Sequence, residues 1–258
     1  MELVIVGGGK MGEALLAGLV AAKWAEPTEL AVVEPVAARR AVLEEQYPGV
    51  TVSAEPVAAS GAVLATKPAD VPAACASLTS DRVLSIAAGV TIATIEAALA
   101  RPVAVVRAMP NTPAIVGAGV AAIAGGTHAG ADDLAWAEGI LGAVGEVEQV
   151  PEKLLDAVTG LSGSGPAYVF LFAEALIEGG VTAGLPRPVS EALAIQTLLG
   201  AARLLVETGD GPEALRAAVT SPGGTTAAGL RELERAGFRS AVIEAVLAAT
   251  RRSVELGS

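Results

Sequence analysis

The chain has 258 residues, of which 52% are hydrophobic, 17% are charged and only 3% are aromatic. This length allows one large domain or two of moderate size, and the apolar content is ample for a buried core. The formal net charge of −11 argues against nucleic acid as a partner, because its phosphates would repel the protein. With one cysteine, one histidine and no HExxH or CxxC motif, we expect neither an intrachain disulfide nor a metal site.

Targeting and membrane segments are not expected either. Met1-Glu2 lacks the basic start of a signal peptide, and Leu3–Val6 is too short for its apolar core. The longest charge-free stretches, Ala108–Ala131 and Ala157–Ala173, contain clusters of Pro, Gly, Asn or Ser that are atypical of membrane spans. The lone Cys75 lies in an apolar helical pattern and is predicted to be a buried thiol. We therefore expect a cytoplasmic protein without a membrane partner.

Short apolar runs alternate with helical patterns over the first 150 residues. The predicted strands are Glu2–Val6, Leu30–Glu34, Val50–Ser53, Ala62–Thr66, Val83–Ala87, Val103–Ala108, Gly119–Ala124 and Glu146–Val150. The predicted helices among them are Glu13–Trp24, Ala69–Leu78, Thr91–Ala100 and one near Asp132–Leu141. This alternation predicts an α/β fold on a mostly parallel sheet, whose strands are apolar throughout because both faces are covered.

After Pro151 the strand-like runs disappear and the pattern becomes helical. The predicted helices are Gly165–Val181, Val189–Glu207, Pro212–Val219, Thr225–Ala236 and Ser240–Leu256. Turns rich in Gly and Pro separate them, as expected at helix ends. We therefore predict two domains, residues 1–150 and residues 151–258, the second of them all helical.

The first strand leads into a glycine loop, Gly7-Gly8-Gly9-Lys10-Met11-Gly12, that matches the G-x-G-x-x-G dinucleotide motif. In such a loop the first glycine allows a tight turn, the second lets the backbone approach a pyrophosphate, and the third lets helix and strand pack closely. The start of the following helix also presents a favourable dipole to the anion. The loop therefore predicts a nicotinamide dinucleotide site.

Glu34 ends the second predicted strand and bears on the choice between NADH and NADPH. A carboxylate there accepts both ribose hydroxyls and repels a 2′-phosphate. Arg39 and Arg40 follow closely and could instead clamp that phosphate, or lie on a solvated helix face. The choice of cofactor therefore stays open at this point.

A second glycine-rich segment, Ser221–Gly229, begins a helical pattern with Pro222-Gly223-Gly224-Thr225-Thr226. Backbone N–H groups at a helix start, with hydroxyls beside them, are suited to a small carboxylate. Two further turns, Thr66–Pro68 and Arg107–Pro113, end predicted strands, where ligands bind in open α/β sheets. Each is either part of the ligand site or a plain turn that ends its strand. Leu161–Pro166 is either a flexible helix entry or a wall of the substrate site.

Taken together, these segments identify the chain as similar to the pyrroline-5-carboxylate reductases. The segments that carry the resemblance are Gly7–Leu15, Thr66–Pro68, Ser85–Val90, Arg107–Pro113, Asp156–Tyr168 and Val219–Thr226. The resemblance implies a Rossmann domain followed by a helical dimerisation domain, and reduction of 1-pyrroline-5-carboxylate to L-proline by NADPH or NADH. It also implies a homodimer that assembles further, commonly to a decamer.

The resemblance also implies the roles of individual residues. For the substrate these are Glu152, Ser221, Gly223, Gly224, Thr225 and Thr226, with Thr226 as the catalytic group. For the cofactor they are Gly7, Gly8, Gly9, Lys10, Met11, Gly12, Glu34, Ala65, Thr66, Lys67, Pro68 and Ala88. Members of the family often carry a small or polar residue where Glu34 stands, and many use NADPH.

Three other functions fit parts of the sequence. One is a reductase of another cyclic imine acid, and another is a β-hydroxyacid dehydrogenase, which has the same plan of domains. Those dehydrogenases need a lysine on a helix of the second domain, and no lysine follows Lys153. The third is a non-catalytic nucleotide sensor, which would keep the glycine loop but would not need the helix start at Thr225.

Overall fold

The computed structural model describes residues 1–257 and divides the chain into two compact units. The first unit comprises Met1–Ser164 together with the chain from Val246 onward, and the second comprises Gly165–Ala245. The predicted boundary at residues 150 and 151 follows the change from strands to helices, whereas these units follow packing. The boundary of the functional domains therefore stays a prediction.

Within the described residues, the first unit contains one sheet of eight strands. The strands are β1 (Leu3–Val6), β2 (Leu30–Val33), β3 (Thr51–Ser53), β4 (Gly61–Leu64), β5 (Arg82–Ser85), β6 (Ala104–Met109), β7 (Gly119–Gly125) and β8 (Gly145–Gln149). Their order across the sheet is β3-β2-β1-β4-β5-β6-β7-β8. Neighbouring strands are parallel except β6 and β7, which are antiparallel. The predicted mostly parallel α/β sheet is therefore confirmed.

Helices connect most of these strands. In the first unit they are α1 (Lys10–Ala21), α2 (Ala37–Gln46), α3 (Val71–Ala76), α4 (Ile92–Ala98), α5 (Ala131–Leu141) and α6 (Leu155–Val158). A single π-helical turn, Thr159–Gly163, follows α6. The sequence analysis did not predict α6 or this turn, because both lie in a stretch of mixed Gly, Ser and apolar residues.

The sheet divides the core of the first unit into two hydrophobic clusters. Leu3 and Ile5 of β1 belong to one cluster with Leu16 of α1, whereas Val4 belongs to the other with Cys75 of α3. Successive side chains of a strand point to opposite faces, which explains the alternation. Cys75 is fully buried, as predicted, and this burial raises the pKa of its thiol.

The second unit is entirely helical. Its helices are α7 (Gly165–Thr182), α8 (Arg187–Thr208), α9 (Pro212–Ala218), α10 (Thr225–Arg235) and the first part of α11 (Phe238–Gly257), as far as Ala245. The hydroxyl of Ser190 on α8 donates to the carbonyl of Ile177 on α7 at 2.8 Å. The rings of Phe172 and Phe238 pack 5.8 Å apart. These contacts tie α7 to α8 and α11.

Many large apolar side chains of the second unit are exposed in the single chain. Leu171 is 67% exposed, Ile195 is 60% exposed and Val206 is 84% exposed. By length and composition alone, two helical segments, residues 152–182 and Arg187–Thr208, are apolar enough to cross a membrane. Large exposed apolar patches also mark protein interfaces. This surface is therefore suited to contact with either a membrane or another protein chain.

We expect Leu84→Ala to lower the free energy of unfolding by about 2–5 kcal/mol, because Leu84 is fully buried in the central strand β5 and its loss leaves a cavity. The measurement is equilibrium unfolding in urea at fixed protein concentration. The control is Val42→Ala on the exposed face of α2, which should change stability by less than about 0.5 kcal/mol. Equal effects of the two substitutions would contradict the assignment of the core.

Candidate active site

The glycine loop turns sharply between β1 and α1. Gly7 has a φ of +111°, and its N–H donates to the carbonyl of Val33 at 2.8 Å. A Cβ on Gly7 would lie 2.5 Å from the carbonyl oxygen of Ala65. A Cβ on Gly12 would collide with the carbonyl oxygen of Gly7. Both positions therefore require glycine, one for its backbone conformation and both for close packing.

The start of α1 is open to a ligand. Gly9 precedes the helix, and a Cβ there would meet no atom within 4 Å. No side chain caps the first turn of the helix. The first N–H groups of a helix have no partner within it, so this turn presents backbone donors suited to a pyrophosphate. Lys10 is the first residue of the helix and is exposed, and Met11 follows it.

Glu34 follows the end of β2 and is only 8% exposed. Its Oε2 accepts the N–H of Gly8 at 3.0 Å, and its Oε1 accepts the N–H of Val36 at 2.8 Å. The carboxylate therefore stands directly beside the glycine loop. This is the place where a Rossmann fold holds the ribose of its cofactor.

Arg39 and Arg40, both on α2, bond to the backbone near Glu34. The Nε of Arg39 donates to the carbonyl of Gly8 at 2.6 Å, and its Nη2 pairs with the carboxylate of Glu13. The Nη1 of Arg40 donates to the carbonyls of Glu34 and Pro35 at 2.9 and 2.8 Å. The sequence gives no signal for the bonds to these carbonyls, because main-chain acceptors are brought close only by the fold.

A cavity of about 290 Å³ lies beside the glycine loop, at the carboxyl ends of β4, β5 and β6. Its lining comprises Met11, Ala65–Thr66, Ile86–Ala88, Met109–Thr112 and Gly163. The volume is near the lower end of the range of small-molecule sites, and the position agrees with the rule for open α/β sheets. The structure thus brings the predicted residues Met11, Ala65, Thr66 and Ala88 together.

The residues around this cavity fit a nicotinamide dinucleotide. The hydroxyl oxygen of Thr66 is buried and has no hydrogen-bond partner within the described residues. A buried hydroxyl without a partner is unfavourable, so a ligand that bonds to it would relieve that cost. The open helix start at Gly9 and the carboxylate of Glu34 would hold the pyrophosphate and the ribose.

Asn111 holds two walls of the cavity together. It is only 9% exposed, its Oδ1 accepts the N–H of Val120 at 2.9 Å, and its Nδ2 donates to the carbonyl of Ser162 at 3.2 Å. A Cβ on Gly163 would lie 2.6 Å from Cε of Met109. The π-helical turn is therefore packed directly against the end of β6, and π turns are frequent at functional sites.

A second cavity of about 360 Å³ is lined by Pro68, another of the predicted cofactor residues. Pro68 and Ala88 line it, together with Ser164 and with residues of α11 that include Arg252 and Ser253. Ala88 also lines the first cavity. Lys67 is exposed and lies between Thr66 and Pro68 at the carboxyl end of β4.

Glu152 lies in the first turn of a short 3₁₀ helix, Glu152–Leu154. Its Oε1 accepts the N–H of Ile92, the first residue of α4, at 2.7 Å and the Nη1 of Arg107 at 2.9 Å. Arg107 comes from β6 and its side chain is only 9% exposed. These bonds tie the start of α4 and the sheet to the 3₁₀ turn, which is a positioning role. Contact with a substrate stays a prediction for Glu152.

The remaining predicted substrate residues lie in the second unit. Gly223 has a φ of +72°, and the N–H of Gly224 donates to the carbonyl of Ser221 at 3.1 Å. Pro222 and Gly223 thus occupy the middle of a β-turn that suits proline followed by glycine. The N–H of Gly224 bonds within this turn, and the contact of Gly224 with a substrate stays a prediction.

Helix α10 begins directly after this turn, at Thr225. No side chain caps its start, and Ser221, Thr225 and Thr226 are exposed. Its first N–H groups, those of Thr225, Thr226 and Ala227, therefore face outward with hydroxyls beside them. The helix start keeps the donors and the dipole that a carboxylate needs.

The lone histidine and the metal-ligating side chains complete the description of the first unit's surface and of the whole described chain. His128 is exposed in the turn before α5. Within residues 1–257, no three side chains of His, Cys, Asp or Glu stand close enough together to hold a metal ion.

Comparison with known proteins agrees with this geometry. The family described as pyrroline-5-carboxylate reductase dimerisation matches residues 152–256, and the family described as NADP oxidoreductase, coenzyme F420-dependent, matches residues 2–89. A pyrroline-5-carboxylate reductase of Synechocystis sp. is 51% identical, covering 100% of this chain and 98% of its own.

Solved structures are similar over the same length. A pyrroline-5-carboxylate reductase of Coxiella burnetii has a TM-score of 0.93 at 36% identity, covering 100% of this chain and 98% of its own. A pyrroline carboxylate reductase of Plasmodium falciparum, solved with NADP bound, has a TM-score of 0.85 at 30% identity, again covering 100% and 98%.

The glycine loop, the cavity beside it and the matched oxidoreductase family place the chain among the NAD(P)H-dependent oxidoreductases. Pyrroline-5-carboxylate reductases match the chain over its whole length, both in sequence and in structure. The chain belongs to the pyrroline-5-carboxylate reductase family.

We expect Arg107→Met to lower the free energy of unfolding by about 1.5–3 kcal/mol, because it removes a charged hydrogen-bond donor from the carboxylate of Glu152. The control is Arg235→Met, which breaks the exposed pair of Arg235 with Glu232 and should cost at most about 1 kcal/mol. Urea unfolding measures both. In the background of Glu152→Gln the effect of Arg107→Met should shrink, and an undiminished effect would show that the two side chains are not coupled.

Proposed function

We propose that this chain reduces the C=N bond of 1-pyrroline-5-carboxylate to give L-proline, the last step of proline synthesis, with NADPH or NADH as the reductant. The observation that carries the proposal is the match to the reductase family over the whole chain. The chain's own residues supply what the reaction needs, namely a dinucleotide loop at Gly7–Gly12 and a set of carboxylate donors at the start of α10.

The reaction adds a hydride to the imine carbon and a proton to the imine nitrogen. The bound nicotinamide supplies the hydride. The substrate becomes a better electrophile when its nitrogen is protonated or receives a hydrogen bond, so the protein must favour that state. Catalysis then rests chiefly on positioning, which can supply roughly 7–11 kcal/mol of the barrier in favourable cases.

The start of α10 holds the substrate carboxylate in this proposal. The hydroxyl of Ser221 and the N–H groups of Gly223, Thr225 and Thr226 are its donors, with Gly224 shaping the turn that presents them. The positive end of the helix dipole adds to the attraction. A carboxylate bound here fixes the ring of the substrate at one end.

Thr226 is the proposed catalytic group. Its hydroxyl reaches the imine nitrogen and orients the proton there, which arrives with the substrate or through water because a threonine hydroxyl is a poor acid at neutral pH. The exposure of Thr226 in the chain leaves this hydroxyl accessible. Glu152 lies near the substrate in this proposal, and its bonds to Arg107 and to the start of α4 fix its carboxylate.

In this proposal the cofactor site lies in the first unit. The pyrophosphate lies on the backbone of Gly7–Gly12, including Lys10 and Met11, and Glu34 bonds to the ribose. The nicotinamide end lies against Ala65–Pro68 and Ala88. The unpartnered hydroxyl of Thr66 and the cavity that Ala65, Thr66 and Ala88 line support this placement.

The proposed functional domains are residues 1–150 for the dinucleotide and residues 151–258 for the substrate and for dimerisation. The dimerisation family matched from residue 152 and the exposed apolar helices support a homodimer, because a second copy would cover them. We further propose that dimers assemble, up to a decamer, in the cytoplasm. The lone buried Cys75 is consistent with a reducing compartment.

The assay mixes the purified protein with NADPH or NADH and then adds 1-pyrroline-5-carboxylate. We expect loss of the nicotinamide absorbance that depends on the substrate. Thr226→Ala should lower kcat/KM at least about a hundredfold, as a lost positioned catalytic group does, with cofactor binding nearly unchanged. Thr226→Ser should restore most of the activity, because it returns the hydroxyl.

Two controls separate this proposal from its rivals. The ring compound 1-pyrroline lacks the carboxylate and should be a poor substrate if the start of α10 holds that group. Cofactor binding without oxidation by any cyclic imine acid would instead indicate a nucleotide sensor. Unchanged turnover of Thr226→Ala would remove Thr226 from the mechanism.

We expect light scattering after size exclusion to give a mass of at least twice that of the chain, in buffer without detergent. Covering the apolar side chains of α7 and α8 with a second copy is the physical reason. Val206→Asp is a suitable variant for disrupting this contact between copies, because Val206 is 84% exposed in the single chain. A wild-type monomer, or a protein soluble only in detergent, would contradict the proposed assembly.

A further inference from the structure

The backbone N–H and the backbone carbonyl of Gly8 are bonded to side chains of opposite charge. Its N–H donates to Oε2 of Glu34 at 3.0 Å, and its carbonyl accepts from Nε of Arg39 at 2.6 Å. Gly8 lies in the middle of the phosphate-binding turn. The two side chains that border the ribose position therefore also set the conformation of the loop.

The carboxylate of Glu34 lies beside the loop without an ion-pair partner among the described residues. Both of its oxygens accept backbone N–H groups, and within the described residues it forms no ion pair with Lys or Arg. Arg40 bonds to the main-chain carbonyl of Glu34 and not to its carboxylate. With only 8% of the residue exposed, solvent screens this charge weakly. A phosphate placed beside it would be repelled, whereas ribose hydroxyls would donate to it.

Arg39 is a cation close enough to the loop to offset that repulsion, but its guanidinium is already engaged. Its Nη2 pairs with the carboxylate of Glu13 on α1, while its Nε is bonded to Gly8. The hydroxyl of Tyr47 lies 3.5 Å from the other oxygen of Glu13. Burial, followed by the charge of Glu13, raises the pKa of Tyr47, so its hydroxyl remains a neutral donor at neutral pH. Glu13 is therefore a fixed partner that directs Arg39 toward α1.

We propose that this chain binds NADH in preference to NADPH, that Glu34 excludes the 2′-phosphate, and that Glu13 strengthens the exclusion by keeping Arg39 on the loop. This inference rests on the proposed use of a nicotinamide dinucleotide. It sets the chain apart from the Plasmodium falciparum relative, whose structure holds NADP. Arg39 is a positioning residue for the loop and serves both cofactors alike.

The test measures the dissociation constants of NADH and NADPH by titration calorimetry of the purified full-length protein at fixed ionic strength. The wild type should bind NADH at least about tenfold more tightly, as expected for a phosphate beside a weakly screened carboxylate. Glu34→Gln should reduce that ratio at least about fivefold, chiefly through tighter NADPH. Glu13→Gln should also tighten NADPH selectively, by about threefold or more, because it frees Arg39.

Glu44→Gln is the matched control for charge. Glu44 is exposed on α2, the helix that carries Arg39, so the substitution changes the net charge equally without touching the loop. It should leave the ratio of the two dissociation constants unchanged within twofold. A shift as large as that of Glu34→Gln would overturn the assignment of selectivity to Glu34.

Arg39→Met separates the two roles of the arginine. As a brace of the loop, Arg39 supports both cofactors, so its loss should weaken NADH and NADPH by similar factors. Selective loss of NADPH binding would instead make Arg39 a ligand of the 2′-phosphate and overturn the inference. Comparing adenosine 2′,5′-bisphosphate with adenosine 5′-monophosphate repeats the test without the nicotinamide half.

The outcomes for the wild type distinguish this inference from the proposed function. Equal affinities, or tighter NADPH, would overturn the inference while leaving a nicotinamide-dependent reductase intact. Absence of binding by either dinucleotide would overturn both. Retained folding of each variant is checked by urea unfolding, so that a loss of binding is not mistaken for a loss of structure.

Discussion

The nucleotide end of the molecule depends on the close approach of α1 to the end of β1. Gly12 of the helix packs against the carbonyl of Gly7 so tightly that a single methyl group would separate them. This contact holds the first turn of α1 directly over the loop, where its N–H groups are open to a ligand. The position of the cavity beside Met11 follows from the same contact, because the next strands of the parallel sheet end at that edge.

Charged groups then refine what the backbone has arranged. Glu34 accepts the N–H of Gly8 and Arg39 donates to its carbonyl, so electrostatics and loop conformation are coupled at this residue. Glu152 and Arg107 do the same for the start of α4 and the end of the sheet. In each case a carboxylate accepts a backbone N–H. An arginine is bonded either to that carboxylate, as Arg107 is, or to the same loop residue, as Arg39 is. Glu34 and Arg107 are buried, and buried charged groups are stable only with their partners in place.

The helical unit follows a different rule, because its apolar side chains exceed what one chain covers. None of the residues of α7 is fully buried, and Phe170 and Leu171 are mostly exposed. Covering a hydrophobic surface of this extent with another copy lowers the free energy. Low aromatic content and abundant alanine suit that packing, because small side chains let helices approach closely.

Local pattern was sufficient to predict the strands, most of the helices, the glycine loop and the turn before α10, because each depends on periodicity or on Gly and Pro at adjacent positions. It was also sufficient to identify the family. It could not predict that β7 runs antiparallel to β6, that Asn111 bonds to Val120 and Ser162, or that the N–H of Gly224 is used within its own turn. Nor could it direct Arg39 toward Gly8. These features join residues distant in sequence or depend on the orientation of one peptide group, and only the folded backbone decides which donor meets which acceptor.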